Sequence, residues 1–266
     1  MHQLGKRIGK ATVASLILAG SLLLFGCGNF GPGKSPLPDT ISKIEAQQQL
    51  ESAFASVPDA YAFDVHMDIK EVVANARSSS KIDYSGEIDA SDPDNLLMHM
   101  DFSESGSSGN MSEELYWNGE SVWVVAYGQA YELPLADYEE LDLSDQIENT
   151  TDVEHLITFL TFAKDVTSRK DGDNTIITIE VDAETLSYLY NLYLEDYVSD
   201  SSSLKDPVIT YMAAVYTIDK DGTLVKILLN INAQCENSDG KPCELSLNYN
   251  MTFSELGTAV VPMYGG

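Results

Sequence analysis

Leu224-Val-Lys-Ile-Leu-Leu-Asn-Ile-Asn-Ala-Gln-Cys235, the turn Glu236-Asn-Ser-Asp-Gly-Lys-Pro242, and Cys243-Glu-Leu-Ser-Leu-Asn-Tyr-Asn-Met-Thr-Phe253 decide the fold. Both arms repeat with the two-residue period of a half-buried strand. Setting Cys235 opposite Cys243 places Ala233 on Leu245, Ile231 on Leu247, Leu229 on Tyr249, Ile227 on Met251 and Val225 on Phe253. Lys226, Asn230 and Asn232 then face Thr252, Asn248 and Ser246. A slip of one residue would set apolar against polar along the whole ladder, so the register is specified. The hairpin is antiparallel and has one apolar face.

The same period runs outward in both directions. Val208–Ile218 reaches Leu224 through the turn Asp219-Lys-Asp-Gly222. Tyr61–Lys70 alternates without a break, and Lys81–Ile88 and Leu96–Phe102 continue the pattern. In Glu114–Leu133 the pair Asn118-Gly119 predicts a tight hairpin, because both residues tolerate positive φ, and Gly128-Gln129 predicts a second turn. Trp117, Trp123, Tyr127 and Tyr131 of this meander are candidates either for the core or for lining an apolar-ligand site. Thr175–Val181 reads as one more strand, after the turn Asp171-Gly-Asp-Asn174.

Helical spacing appears three times. Residues 41–57 carry Ser42 and Glu45 as a capping box and Ala46, Leu50, Ala53, Phe54 and Val57 on one face. Val153, Leu156, Ile157, Leu160 and Ala163 define a second helix, and Leu186, Leu189, Tyr190, Tyr193 and Tyr197 a third. The expected fold is therefore α+β: a curved, mostly antiparallel half-barrel wrapping about three helices.

The N-terminus gives an address. Lys6, Arg7 and Lys10 precede an uncharged run over 11–26, the layout of a secretory signal. Leu24-Phe-Gly-Cys27 resembles the bacterial lipobox. That resemblance implies a diacylglyceryl group on the Cys27 thiol, cleavage before Cys27 and acylation, such as with palmitate, of the new amine. Several acyl chains anchor stably where one is marginal. Residues 28–39 are rich in Gly and Pro and read as a tether. The organisation expected is a signal peptide over 1–26, the lipidated Cys27 and tether over 27–40, and a single domain over 41–266. In an exported chain Cys235 and Cys243 are expected to form a structural disulfide.

The formal charge is −27, and the leader removes three basic residues, so the body is more acidic still. Nucleic-acid binding needs a basic footprint and is excluded. The same acidity repels anionic headgroups, so lipid and not a basic face must hold the body to the membrane. No GxSxG, P-loop or HExxH is present. Ser78-Ser-Ser-Lys81 and Ser202-Ser-Leu-Lys205 match SxxK in serine-rich stretches without a KTG partner. His66, His99 and His155 lack ligand spacing and read as solvated. Asp219–Gly222, Asp171–Asn174 and the set Asp89, Asp92 and Asp94 echo calcium loops, but each sits where a hairpin needs a turn. No enzyme, cofactor or metal centre is expected.

The order of elements is similar to LolA-like and LppX/LprG-like bacterial lipoproteins. Tyr116-Trp-Asn-Gly-Glu-Ser-Val-Trp-Val124, Tyr216-Thr-Ile-Asp-Lys-Asp-Gly-Thr-Leu224 and Phe253-Ser-Glu-Leu-Gly-Thr-Ala-Val-Val-Pro262 carry the resemblance. It implies an apolar space between sheet and helices, used by several relatives for acyl chains. The function expected is a non-enzymatic lipoprotein on the outer face of a cell membrane, or of an outer membrane, that binds or carries an apolar ligand such as lipid. The alternative is a closed-core surface lipoprotein acting through an envelope protein partner.

Overall fold

A computed structural model describes residues 39–73, 76–92, 95–106, 109–119, 121–134, 160–182, 184–185, 204–237 and 240–265. Alternation of apolar and polar residues dominates these segments, and they form one sheet of twelve strands. In chain order these are β1 (Asp39–Thr40), β2 (Ala60–Val73), β3 (Ala76–Asp89), β4 (Leu97–Gly106), β5 (Gly109–Asn118), β6 (Ser121–Ala126), β7 (Gln129–Pro134), β8 (Ala163–Asp171), β9 (Asn174–Val181), β10 (Leu204–Ile218), β11 (Leu224–Asn237) and β12 (Pro242–Ser254). Their spatial order is β1-β8-β9-β10-β11-β12-β2-β3-β4-β5-β6-β7. Every pairing is antiparallel. Two meanders, β2–β7 and β8–β12, meet at the β12–β2 seam.

The hairpin register read from the sequence holds from Lys226 opposite Thr252 to Cys235 opposite Cys243. The sheet then extends the logic, because directly paired residues share a face. One apolar row runs Phe253, Phe63, Gly86, Met100, Leu115, Val124. The next runs Met251, Val65, Tyr84, Phe102. Most of the buried core side chains belong to this face.

Among the described residues there is a single helix of any length, α1 (Lys43–Phe54). Ser42 caps it, its side chain accepting the Glu45 N–H at 3.1 Å. Ala46, Leu50 and Ala53 are buried against β8 and β11, and Phe54 meets Tyr216 edge-on with centroids 6.2 Å apart.

The expectation of about three helices wrapped by a half-barrel is therefore corrected: the described chain is a large antiparallel sheet with one short helix. The expected second and third helices fall mostly outside the described residues. Where their residues are described, Ala163 opens β8 instead of closing a helix. Val166 is the only other buried residue of β8, so the strand has almost no periodicity of its own. It pairs because the turn after Asp171 folds the strongly apolar β9 back upon it. Other strands are longer than the pattern suggested. Ser78 to Lys81, read as a serine-rich stretch, lie within β3, and Lys205 lies within β10.

Candidate functional site

The two faces of the sheet differ sharply along β2–β6. On the apolar face, Phe63, Val65, Met67, Met98, Met100 and Phe102 are buried. Six of the eight methionines of the chain lie in this core or against it: Met67, Met98, Met100 and Met212 buried, Met111 and Met251 partly so. α1 packs over the β8–β11 half of the sheet. Towards the β2–β3 hairpin the face turns polar. Glu71 lies directly opposite Leu245 and Ser78; it accepts the Ser78 hydroxyl at 3.1 Å, and the Cys243 sulfur lies 3.5 Å from its carboxylate. Glu104 pairs with Ile82, and Glu113, only 5% exposed, pairs with Phe102. Burial and then the Glu104 charge push the Tyr84 phenol well above its ordinary range. The lining is thus greasy for most of its length and acidic at one end.

The opposite face is polar, and it carries the histidines. His66 Nδ1 contacts Asp83 Oδ1, with Asp68 at 3.6 Å from Nε2. His99 Nδ1 lies 2.8 Å from Glu87, with Asp101 3.8 Å from Nε2. His66 is solvated as read, its side chain 44% exposed, whereas His99 is 12% exposed; each sits between two carboxylates supplied by its own or a neighbouring strand. Period-two spacing places these groups on one face, but the neighbours come from register. His155 lies outside the described residues.

The four candidate aromatics are not brought together. Trp117 packs against the apolar core. Trp123 lies on the polar face, its ring stacked on Tyr264 at 4.8 Å and 21°. Tyr127 is 78% exposed and has φ 53°, while Tyr131 lies opposite Val124 and donates to Gln129 at 2.6 Å. The turns also differ from the sequence reading. Tyr127 and Gly128, and not Gly128 and Gln129, are the central residues of the β6–β7 hairpin, both with positive φ. At Asn118-Gly119 only Gly119 has positive φ, and Asn118 Oδ1 instead accepts the Ser121 N–H at 2.9 Å.

Asp219 Oδ1 accepts the N–H groups of Asp221 and Thr223, each at 2.9 Å, so its carboxylate shapes the β10–β11 turn. Cys27, Asp94, Ser202 and Ser203 lie outside the described residues. Cys235 and Cys243 are direct cross-strand partners, and Cys243 is buried.

No curated protein matches this sequence. Among solved structures the chain is similar to LprF from Mycobacterium bovis, at 10% identity and TM-score 0.46, covering 86% of this chain and 100% of that one. It is also similar to a LolA superfamily protein from Nitrosomonas europaea, at 12% identity and TM-score 0.20, covering 78% and 92%. A putative outer membrane lipoprotein-sorting protein domain from Vibrio parahaemolyticus matches at 11% identity and TM-score 0.22, covering 80% and 92%. A family model spans residues 42–260, from the cap of α1 to the segment after β12, and the chain belongs to that family, a family of unknown function (DUF6612).

Proposed function

We propose that this protein is an exported lipoprotein, tethered to the envelope through lipid on Cys27, that holds an apolar ligand such as a lipid against the apolar face of its sheet. The observation that carries the reading is the disproportion, among the described residues, between that face and α1. Twelve strands at about 4.8 Å spacing span on the order of 50 Å along the hydrogen-bond direction. A twelve-residue helix is about 18 Å long and about 10 Å across. The part of the face beyond its reach, over β2–β5, is rich in methionine, whose flexible thioether adapts to irregular apolar shapes. A ligand with an apolar body and a hydroxyl or amide head suits it, with the head towards Glu71, Ser78 and Glu104. The reading involves no catalytic group, cofactor or metal.

Native mass spectrometry tests it, on a mature chain beginning at Gly28 and exported with a plain secretory leader, so that no anchor is attached. A reproducible added mass, identified as lipid after extraction, is the expected result. A clean unliganded mass would instead favour a closed core that acts through an envelope protein, a reading suggested by the full burial of Met67 and Val122.

A further inference from the structure

We infer that the polar face of the sheet carries a second binding site, for a neutral glycan, and that Tyr264 of the C-terminal segment occupies its stacking platform in this structure. The platform is built from Tyr116 of β5 and Trp123 of β6, direct cross-strand partners. Trp123 Nε1 donates to Ser121 Oγ at 3.2 Å, which fixes the plane of the indole. Tyr116 lies against His99, with centroids 4.7 Å apart and the rings tilted by 34°, and donates its hydroxyl to Glu114 at 2.9 Å. Two large aromatic rings on the face away from the core need another reason to be there.

The platform continues into a groove of about 470 Å³ lined by Asp83, Ser85, Asp101, Ser103, Glu114 and Tyr127, among others. Glu114 joins the two parts, since it both receives the Tyr116 hydroxyl and lines the groove. The groove offers hydroxyls and carboxylate acceptors, with no Lys or Arg in its lining. Asp83 is held by His66 and Asp101 lies beside His99, so the acceptors are in place before a ligand arrives. Tyr127 stands exposed at this groove. A pyranose ring matches both parts: its C–H face lies flat on an aromatic ring, and its equatorial hydroxyls donate to carboxylates. An anionic glycan is disfavoured by the charge of the lining.

Tyr264 shows that a six-membered ring fits the platform, lying on Trp123 and 5.6 Å from Tyr116. Its hold on the chain is slight. Gly257 N–H donates to Ala60 and those of Thr258 and Ala259 to Glu255. Residues 260–265 make no backbone hydrogen bond among the described residues, and Val260 and Met263 are 80% and 55% exposed. A sugar ring therefore competes with Tyr264 for one surface.

Isothermal titration of the full chain in lipid nanodiscs tests the site, with cellohexaose and chitohexaose as neutral probes and an oligogalacturonate as the acidic control. The expected result is saturable binding of at least one neutral probe, weakened tenfold or more by Trp123→Ala and tightened about fivefold by Tyr264→Ala. A misfolded variant cannot bind more tightly, so the gain guards against a trivial loss in the first variant. No binding of either neutral probe would overturn the inference, as would unchanged affinity in Trp123→Ala, weaker binding in Tyr264→Ala, or equal binding of the acidic control. The lipid content of the apolar face is measured separately, so failure here leaves the carrier reading standing, and the reverse also holds.

Discussion

Substituting Gly86 by alanine puts the closest approach in the sheet to a direct test. Gly86 pairs with Phe63 on one side and Met100 on the other. A Cβ there would lie 2.0 Å from the carbonyl oxygen of His99 and 2.9 Å from Met100 Cα, both backbone atoms of β4. Carbon–oxygen contacts of this kind settle near 3.3 Å, so β4 would have to retreat by about 1.3 Å. That stretches its neighbouring ladder bonds past useful length, at about 1 kcal/mol each, and disturbs the packing of Met100, for which overpacking costs roughly 1–3 kcal/mol. The total expected is about 3–4 kcal/mol. Gly86 has no positive φ, so the penalty is steric and not dihedral. Gly128→Ala makes the opposite control: nothing lies within 4 Å of its Cβ, but φ is 72°, and the cost expected is about 1–2 kcal/mol. Thermal unfolding followed by circular dichroism measures both. For a domain of this size Gly86→Ala should lower Tm by roughly 10 °C. A midpoint within 3 °C of the parent, or a smaller loss than in Gly128→Ala, would refute the argument that β3 and β4 are locked by this contact.

Other expectations follow from the same packing. The Cys235–Cys243 bridge remains a proposal, and peptide mapping without reduction should find neither thiol alkylated; its short loop is worth roughly 2.5 kcal/mol in the chain-entropy account, so labelling of either residue in the oxidised protein would end it. Burial raises the phenols of Tyr61, Tyr84, Tyr216 and Tyr249 above their ordinary 10.0. Unfolded, they ionise near pH 10, so their contribution to stability is complete below that pH and declines as pH climbs beyond it. In an alkaline titration, tyrosinate absorbance from these residues should rise together with loss of β circular dichroism; smooth ionisation near pH 10 with the sheet intact would contradict it. Ser42→Ala removes the cap of α1 and should cost about 1 kcal/mol, readable as a lower urea midpoint with an unchanged slope.

The sheet was legible wherever two strands constrained each other. The β11–β12 pairing followed from setting Cys235 opposite Cys243 and from the apolar matching this produced, because a shifted register has an obvious penalty. β8 was not legible, since its partners and not its own residues make it a strand. The same distinction separates the site residues. Trp117 and Trp123 look equivalent in sequence, yet six residues and one turn place them on opposite faces. The capping of α1 by Ser42 was readable because it is local. The partners of His66 and His99 depend on the register between neighbouring strands, and the seat of Tyr264 on Trp123 joins segments far apart in sequence; neither left a local signal.

The strand order has a consequence for how the chain acquires its shape. The seam from Cys243–Val73 to Ser254–Ala62 joins residues 170 to 192 positions apart, and β12 is the last of the described strands to be synthesised. Until it arrives, β2 presents a fourteen-residue unpaired border, the kind of template on which other chains pile up. Pairings of such long range also form slowly. Folding therefore hinges on β12 acting as a zipper, and a chain cut short before Pro242 should accumulate as aggregate however sound its first meander is.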